Sequence, residues 1–220
     1  MNKFLSWIYV MSFVIFDTEY TSRAWCQENG WKGNQKKEIV QISAVKLSND
    51  LNVIGEFNIL CRPVINPILS DYFVKLTHIT NDKIINIGIP FSECYKKFES
   101  FVENNICYSH KWWSDYFDES DGVILKENLL LNNMSEDKKI IYRNIAPIFA
   151  KLYRENNIKV QTQTSGQIVQ NLGIEKNMEH LNLDIHNAFY DVYSILEWLK
   201  YFYPESIKLL SSFQNSAKQS

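Results

Sequence analysis

The sequence predicts an α/β domain: a mixed five-stranded sheet, an antiparallel meander followed by parallel strands, flanked by helices. Three observations predict it. Residues 8–63 read as three strands joined by turns. From residue 91 onward, segments with helical periodicity alternate with short apolar runs, the order that builds a sheet covered by helices. The chain has 220 residues and is 45% hydrophobic, enough for a single sizeable core.

Residues 8–17 are mostly bulky and β-branched and read as the first strand. A polar, glycine-containing loop follows, TSRAWCQENGWKGNQKK. EIVQISAVKL (38–47) alternates Ile39, Gln41 and Ser43 against Val40, Ile42 and Ala44, which is strand periodicity. Asn49-Asp50 is a turn signal, and NVIGEFNILCRP (52–63) is the third strand, ended by Pro63 and Pro67. NPILSDYFVKLTHIT predicts a short helix and a turn. Residues 91–104 place Phe91, Tyr95, Phe98, Phe101 and Val102 at helical spacing, with Ser92 as a cap. NICYSH (105–110) is a short buried strand, and KWWSDYFDESDG is an acidic loop.

Residues 123–133 read as a helix with Ile124, Leu125, Leu129 and Leu130 inward, and 140–145 as a fifth strand. Pro147 opens a helix through Arg154, and 164–174 is a short helix stopped by Gly173. Residues 186–202 form a terminal helix with Val192, Ile195, Leu196, Leu199 and Phe202 on one face. The organisation is one domain over residues 11–203, an N-terminal extension or added strand at 1–10, and a polar tail at 204–220. Met11 is an alternative start. The apolar run after Lys3 resembles a signal peptide, but it ends in Asp-Thr-Glu without a small-residue cleavage site. No segment is long and apolar enough to span a membrane.

A net charge of −2 gives no overall basic field, so nucleic acid is not advertised by bulk charge, although a local patch remains open. The four cysteines, Cys26, Cys61, Cys94 and Cys107, form no C-x-x-C pair. That fits reduced thiols and a cytoplasmic location better than a disulfide frame or a zinc site.

The chemistry concentrates in acids. FVIFDTEY runs from four apolar residues into Asp17, with Glu19 two positions on. Alternation puts both carboxylates on one strand face, where they repel unless a cation lies between them. Hard ions such as Mg²⁺ or Mn²⁺ take oxygen ligands. In HNAFYD, Asp191 falls in the first turns of the last helix and His186 just before it, placed to swing over the same cleft. A third acid from the middle of the chain would be Asp115, Asp118 or Asp121. Asp121 precedes Leu125 and Leu129 by four and eight positions, which places it at a helix N-terminus; Asp115 is the runner-up.

FDTEY, the Asp121-Gly122 turn into VILKEN, and HNAFYD occur in the order Asp-x-Glu, Asp, His-x4-Asp. In this the chain resembles the DEDDh 3′–5′ exonuclease family, which has the ribonuclease-H-like fold. It is most similar to the branch of histone-mRNA and small-RNA exoribonucleases, which IVQISAVKL, NP-ILSDYF-KLTHIT and SGQIV-NLGI also resemble. The departure is KWWSDYFDES, an insertion where the family has a short turn.

The resemblance implies that Asp17, Glu19, Asp121 and Asp191 hold two divalent ions, Mg²⁺ or Mn²⁺, and that His186 is the general base. It implies contacts from Thr18 and Tyr20 to the terminal nucleotide. It places His78 near the terminal-base pocket, with Leu76 and Ile79 as stacking wedges. Trp25, Trp31, Trp112 and Trp113 are candidates for base stacking, and Lys32, Lys36, Lys37 and Lys111 for the phosphate backbone. The expected substrate is the 3′ end of single-stranded RNA or DNA, released as nucleoside 5′-monophosphates. The alternatives are a non-catalytic nucleic-acid-binding module, a proofreading subunit of a polymerase, and a structural protein indifferent to metal.

Overall fold

The structure, a computed structural model, describes residues 12–24, 26, 36–111, 121–135, 140–160 and 164–216. The expected extension at 1–10, Met11, Trp25, Trp31, Lys32, Trp112, Trp113, Asp115 and Asp118 lie outside the described residues.

Strand β1 (Ser12–Tyr20) is central. On one side it pairs antiparallel with β2 (Ile39–Ser48), which pairs antiparallel with β3 (Val53–Arg62). On the other side it pairs in parallel with β5 (Cys107–Ser109), followed by parallel β6 (Tyr142–Asn144). A two-residue strand β4 (Ile89–Pro90) adds in parallel to β3, so the sheet order is β4-β3-β2-β1-β5-β6. The sheet therefore has six strands where the sequence predicts five. Two residues are too few for a period to register.

The apolar run of β1 is continuous because both sheet faces are covered. Phe13 and Ile15 enter a core with helices α5 (Ala146–Glu155) and α7 (Ala188–Tyr201). Val14 and Phe16 enter a core with α3 (Phe91–Val102) and α4 (Gly122–Leu131). The strand continues three residues past Asp17, so both acids sit within it rather than off its end. Leu130 points out, 75% exposed, against the expectation that it faces the core.

The segment read as a short helix and a turn forms α1 (Asp71–Thr77) and the turn after it, and a second helix, α2 (Asn81–Ile87), follows directly. Each has its own cap: Ser70 Oγ accepts from Phe73 N–H and Thr80 Oγ1 from Lys83 N–H, both at 3.2 Å. Ile79 packs between them with Val40, Phe73 and Ile84 at 2% exposure, so it is a core residue and not a stacking wedge. Residues 164–174 become a 3₁₀ turn (Ser165–Gln167) followed by α6 (Ile168–Leu172). Residues 204–220, read as a tail, include helix α8 (Glu205–Ser216), whose Leu210 is buried in the α5/α7 core.

Helix α7 is buried on nearly all sides, between the β1/β2 face and helices α6 and α8. Trp198 is fully buried, stacked on Phe149 with ring centroids 3.5 Å apart and edge-on to Tyr153. Trp198→Ala is expected to cost about 3–5 kcal/mol, the range for deleting a large core aromatic. Urea unfolding checks this; the midpoint should fall with little change in slope.

Candidate active site

Asp17 and Glu19 continue the strand face of Phe13 and Ile15, the face that α7 covers. Asp191 lies in the first turn of α7, where the helix N-terminus favours negative charge. Oxygens of Asp17, Glu19 and Asp191 lie within 4.8 Å of one another. Asp17 and Asp191 are only 6% and 4% exposed.

Asp121 arrives from the sheet edge. Strand β5 ends at Ser109 while β1 continues to Tyr20, so among the described residues the later β1 positions have no ladder partner on that side. The Thr18 N–H donates to the Asp121 carboxylate instead. Ser109 Oγ in turn accepts from Asp121 N–H at 2.8 Å and fixes the start of α4. Asp121, one of the three acids offered by the sequence, is thus placed against β1.

His186 sits in the turn before α7 with φ +66°, in the left-handed region, and is half-buried. Its backbone N–H donates to Asp191 Oδ1 at 3.3 Å. Asn187 caps α7, its Oδ1 accepting from Phe189 N–H at 3.1 Å. The turn is tied to the sheet by Gln41, the cross-strand neighbour of Glu19. Gln41 Oε1 accepts from Ala188 N–H at 3.0 Å, and its Nε2 donates to Asn58 and Asn187. Gln41 was legible only as a strand residue, since nothing in QIS tells a polar core position from a solvated one.

The remaining candidates are placed less centrally. Thr18 is buried and turned to the opposite face, its Oγ1 without a partner among the described residues. Tyr20 packs beside the α3/α4 core with the Lys37 ammonium 5.6 Å from its ring centre. His78 is exposed, and its ring lies 3.8 Å from Asp184, two residues before His186. Lys36 is exposed, and Lys111 lies close enough to Asp121 to favour its ionised form.

Burial and mutual repulsion dominate the electrostatics. Burial raises Asp17 well above the usual carboxylate range, with further upward pushes from Asp121, Asp191 and Glu19. Burial and the charges of Asp191 and Asp121 raise Glu19. Burial pushes Asp121 up to about 7, against Lys111 and the Thr18 N–H, which lower it. Asp191 is pushed up to about 8, chiefly by burial. Burial lowers His186, favouring its neutral form. Four acids held against their own ionisation, three of them with oxygens within 4.8 Å of one another, match the needs of a hard divalent cation.

The sequence profile of the exonuclease family matches residues 14–199. The chain belongs to that family. Among solved structures, this exonuclease is similar to the nuclease domain of 3′hExo, a DEDDh family member bound to rAMP. The TM-score is 0.61 at 18% identity, covering 93% of this chain and 94% of that one. It is also similar to E. coli Exonuclease I in complex with a dA16 oligonucleotide, with TM-score 0.66 at 16% identity, over 91% of this chain and 43% of that one. These likenesses establish the ribonuclease-H-like fold that the sequence motifs implied. ERI1 exoribonuclease 2 of Xenopus laevis is 32% identical over 91 residues, which span 41% of this exonuclease and 12% of that protein.

The raised carboxyls give a stability signature. A carboxyl whose folded pKa lies above its unfolded value contributes stability below the unfolded value, near 4. That stability is lost as pH rises through the folded values, about 7 for Asp121 and about 8 for Asp191. A divalent cation binds the ionised acids and removes the penalty. Saturating Mg²⁺ or Mn²⁺ is therefore expected to raise Tm by about 5–10 °C near pH 8.5, and much less near pH 5.5. Thermal melts with metal and with EDTA at the two pH values check this.

Proposed function

We propose that this exonuclease is a metal-dependent 3′–5′ enzyme that trims single-stranded nucleic acid, RNA in preference to DNA, and releases nucleoside 5′-monophosphates. The observation that carries the reading is the convergence of Asp17, Glu19 and Asp191, with oxygens within 4.8 Å of one another, beside the His186 turn and with the charge of Asp121 near enough to act on Asp17 and Glu19. Asp17, Glu19, Asp121 and Asp191 are assigned to hold two divalent ions, Mg²⁺ or Mn²⁺. Such a pair supplies activation of the attacking water and neutralisation of charge on the phosphate.

His186 takes the proton of the attacking water at a ring nitrogen, for which the neutral imidazole is required. The water oxygen bonds to the terminal phosphorus, and the bond from phosphorus to the preceding 3′ oxygen breaks. The departing 3′ oxygen takes a proton from solvent water, so the shortened strand leaves with a 3′ hydroxyl. Thr18, Tyr20 and His78 are assigned to the terminal nucleotide. RNA preference is supported by relatives whose own names describe an exoribonuclease and 3′-end recognition of a histone mRNA stem-loop. A cytoplasmic location is supported by the four cysteines, which are buried and form no disulfide among the described residues. Among the described residues no helix is long and apolar enough to cross a membrane.

The test uses 5′-labelled single-stranded RNA and DNA oligomers with Mg²⁺ or Mn²⁺. The expected result is a ladder shortening from the 3′ end, faster on RNA and abolished by EDTA. Shortening from the 5′ end, or no shortening of any oligomer by folded protein, overturns the reading.

A further inference from the structure

The turn at residues 164–167 touches the acid cluster from outside it. Its shape is fixed by a capping box: the Thr164 side chain accepts from the Gln167 N–H, and Gln167 Oε1 accepts from the Thr164 N–H at 3.2 Å. The helix it opens is buried through Ile168 and Val169, and the Val169 N–H donates to Ser194 Oγ of α7. The turn is thus held rigidly against the helix that carries Asp191.

Two of its residues meet two of the acids. Ser165, 8% exposed, donates its hydroxyl to Asp17 Oδ1 at 3.2 Å. Gly166 lies so close to Asp191 that a Cβ there would sit 2.5 Å from Asp191 Oδ1 and 2.5 Å from Ile185 Cγ2. No side chain larger than hydrogen fits without moving that carboxylate.

We propose that the 164–167 turn is a brace for the metal site, in which Ser165 and Gly166 are positioning residues that orient Asp17 and Asp191 toward the ions. This rests on the proposed metal-dependent reading. A carboxylate has two oxygens and a soft terminal torsion. Occupying Oδ1 of Asp17 with a hydroxyl donor fixes the plane of the group and leaves Oδ2 for a cation. The bare Cα of Gly166 acts as a wall that sets the orientation of Asp191. Hydrogen-bonding partners of metal ligands commonly contribute 10- to 100-fold in metal affinity.

The test titrates Mn²⁺ into the full chain and follows the free ion by electron paramagnetic resonance, with melting in EDTA measured in parallel. Ser165→Ala is expected to need about 10-fold more Mn²⁺ for half saturation, while its EDTA melting stays near wild type. Ser165→Thr, which keeps the hydroxyl, is expected to restore most of the affinity. Gly166→Ala is expected to weaken Mn²⁺ binding at least as much. Should Ser165→Ala melt too low to titrate, Ser165→Cys keeps the volume with a weak donor and is read by the same criterion. Wild-type affinity in the folded Ser165 variant overturns the brace while leaving the metal site standing. A wild-type protein that binds no Mn²⁺ overturns the metal reading and the brace with it.

Discussion

Asp17→Asn is expected to lower exonuclease activity by at least about 10³-fold and, at the same time, to raise the melting temperature in EDTA at neutral pH. Asparagine keeps the shape and can still accept from Ser165, so packing is little disturbed. The loss is of charge. Asp17 is opposed by its surroundings: it is buried, and three further carboxylates push it the same way. Without metal, an ionised Asp17 costs folding free energy, and asparagine removes that cost. Because the folded carboxyl titrates above the unfolded one, the stability advantage of the variant should vanish below about pH 4, where both proteins carry a neutral group, and grow as pH rises toward the raised range of the folded carboxyl. Metal reverses the order, since wild type gains Tm on adding Mg²⁺ or Mn²⁺ and the variant gains less. A structural carboxylate predicts the opposite, because removing one partner of a buried pair destabilises. Melting curves across pH, with and without EDTA, beside oligonucleotide degradation, separate the two.

The sequence carried much of this arrangement, for identifiable reasons. β1 was legible because both its faces are buried, which forces an unbroken apolar run ending in acids that no core would tolerate alone. Asp121 was favoured over Asp115 because its spacing to Leu125 and Leu129 put it on the inward side of a helix start. The structure places Leu125 and Leu129 in the core and Asp121 against Thr18.

Elsewhere, local signals were too short or too ambiguous. β4 is two residues long, and α8 lies within the stretch that reads as a polar tail. Helix α7 is buried almost all round, so its amphipathic reading found the inward face but not the second layer around it. Gln41 and Ser165 escaped notice for a different reason. A buried polar residue that satisfies a distant group carries no periodicity: only the fold brings Gln41 to the Ala188 N–H, and Ser165 to Asp17 across a separation of 148 residues.

His186→Ala is expected to lower the rate by about 10²- to 10⁴-fold at saturating metal, the usual contribution of a positioned general base. It should leave the metal-dependent rise in Tm intact, because His186 meets Asp191 through its backbone N–H, which alanine retains. The pH dependence gives the sharper test. Burial lowers the ring pKa, so the neutral, proton-accepting form persists to lower pH than for an exposed histidine. Wild-type activity at saturating Mn²⁺ should therefore climb with pH through a midpoint below about 6.5 and then level. The variant should lose that rising limb and keep only the part due to metal loading, which follows the carboxyls near 7 and 8. Measuring rate against pH at several Mn²⁺ concentrations resolves the two limbs. The carboxyl limb shifts to lower pH as metal rises, because the ion competes with protons for the same oxygens. The histidine limb stays where it is. A variant whose profile matches wild type at every metal concentration would remove His186 from the proton transfer and leave its turn as a mount for Asp191.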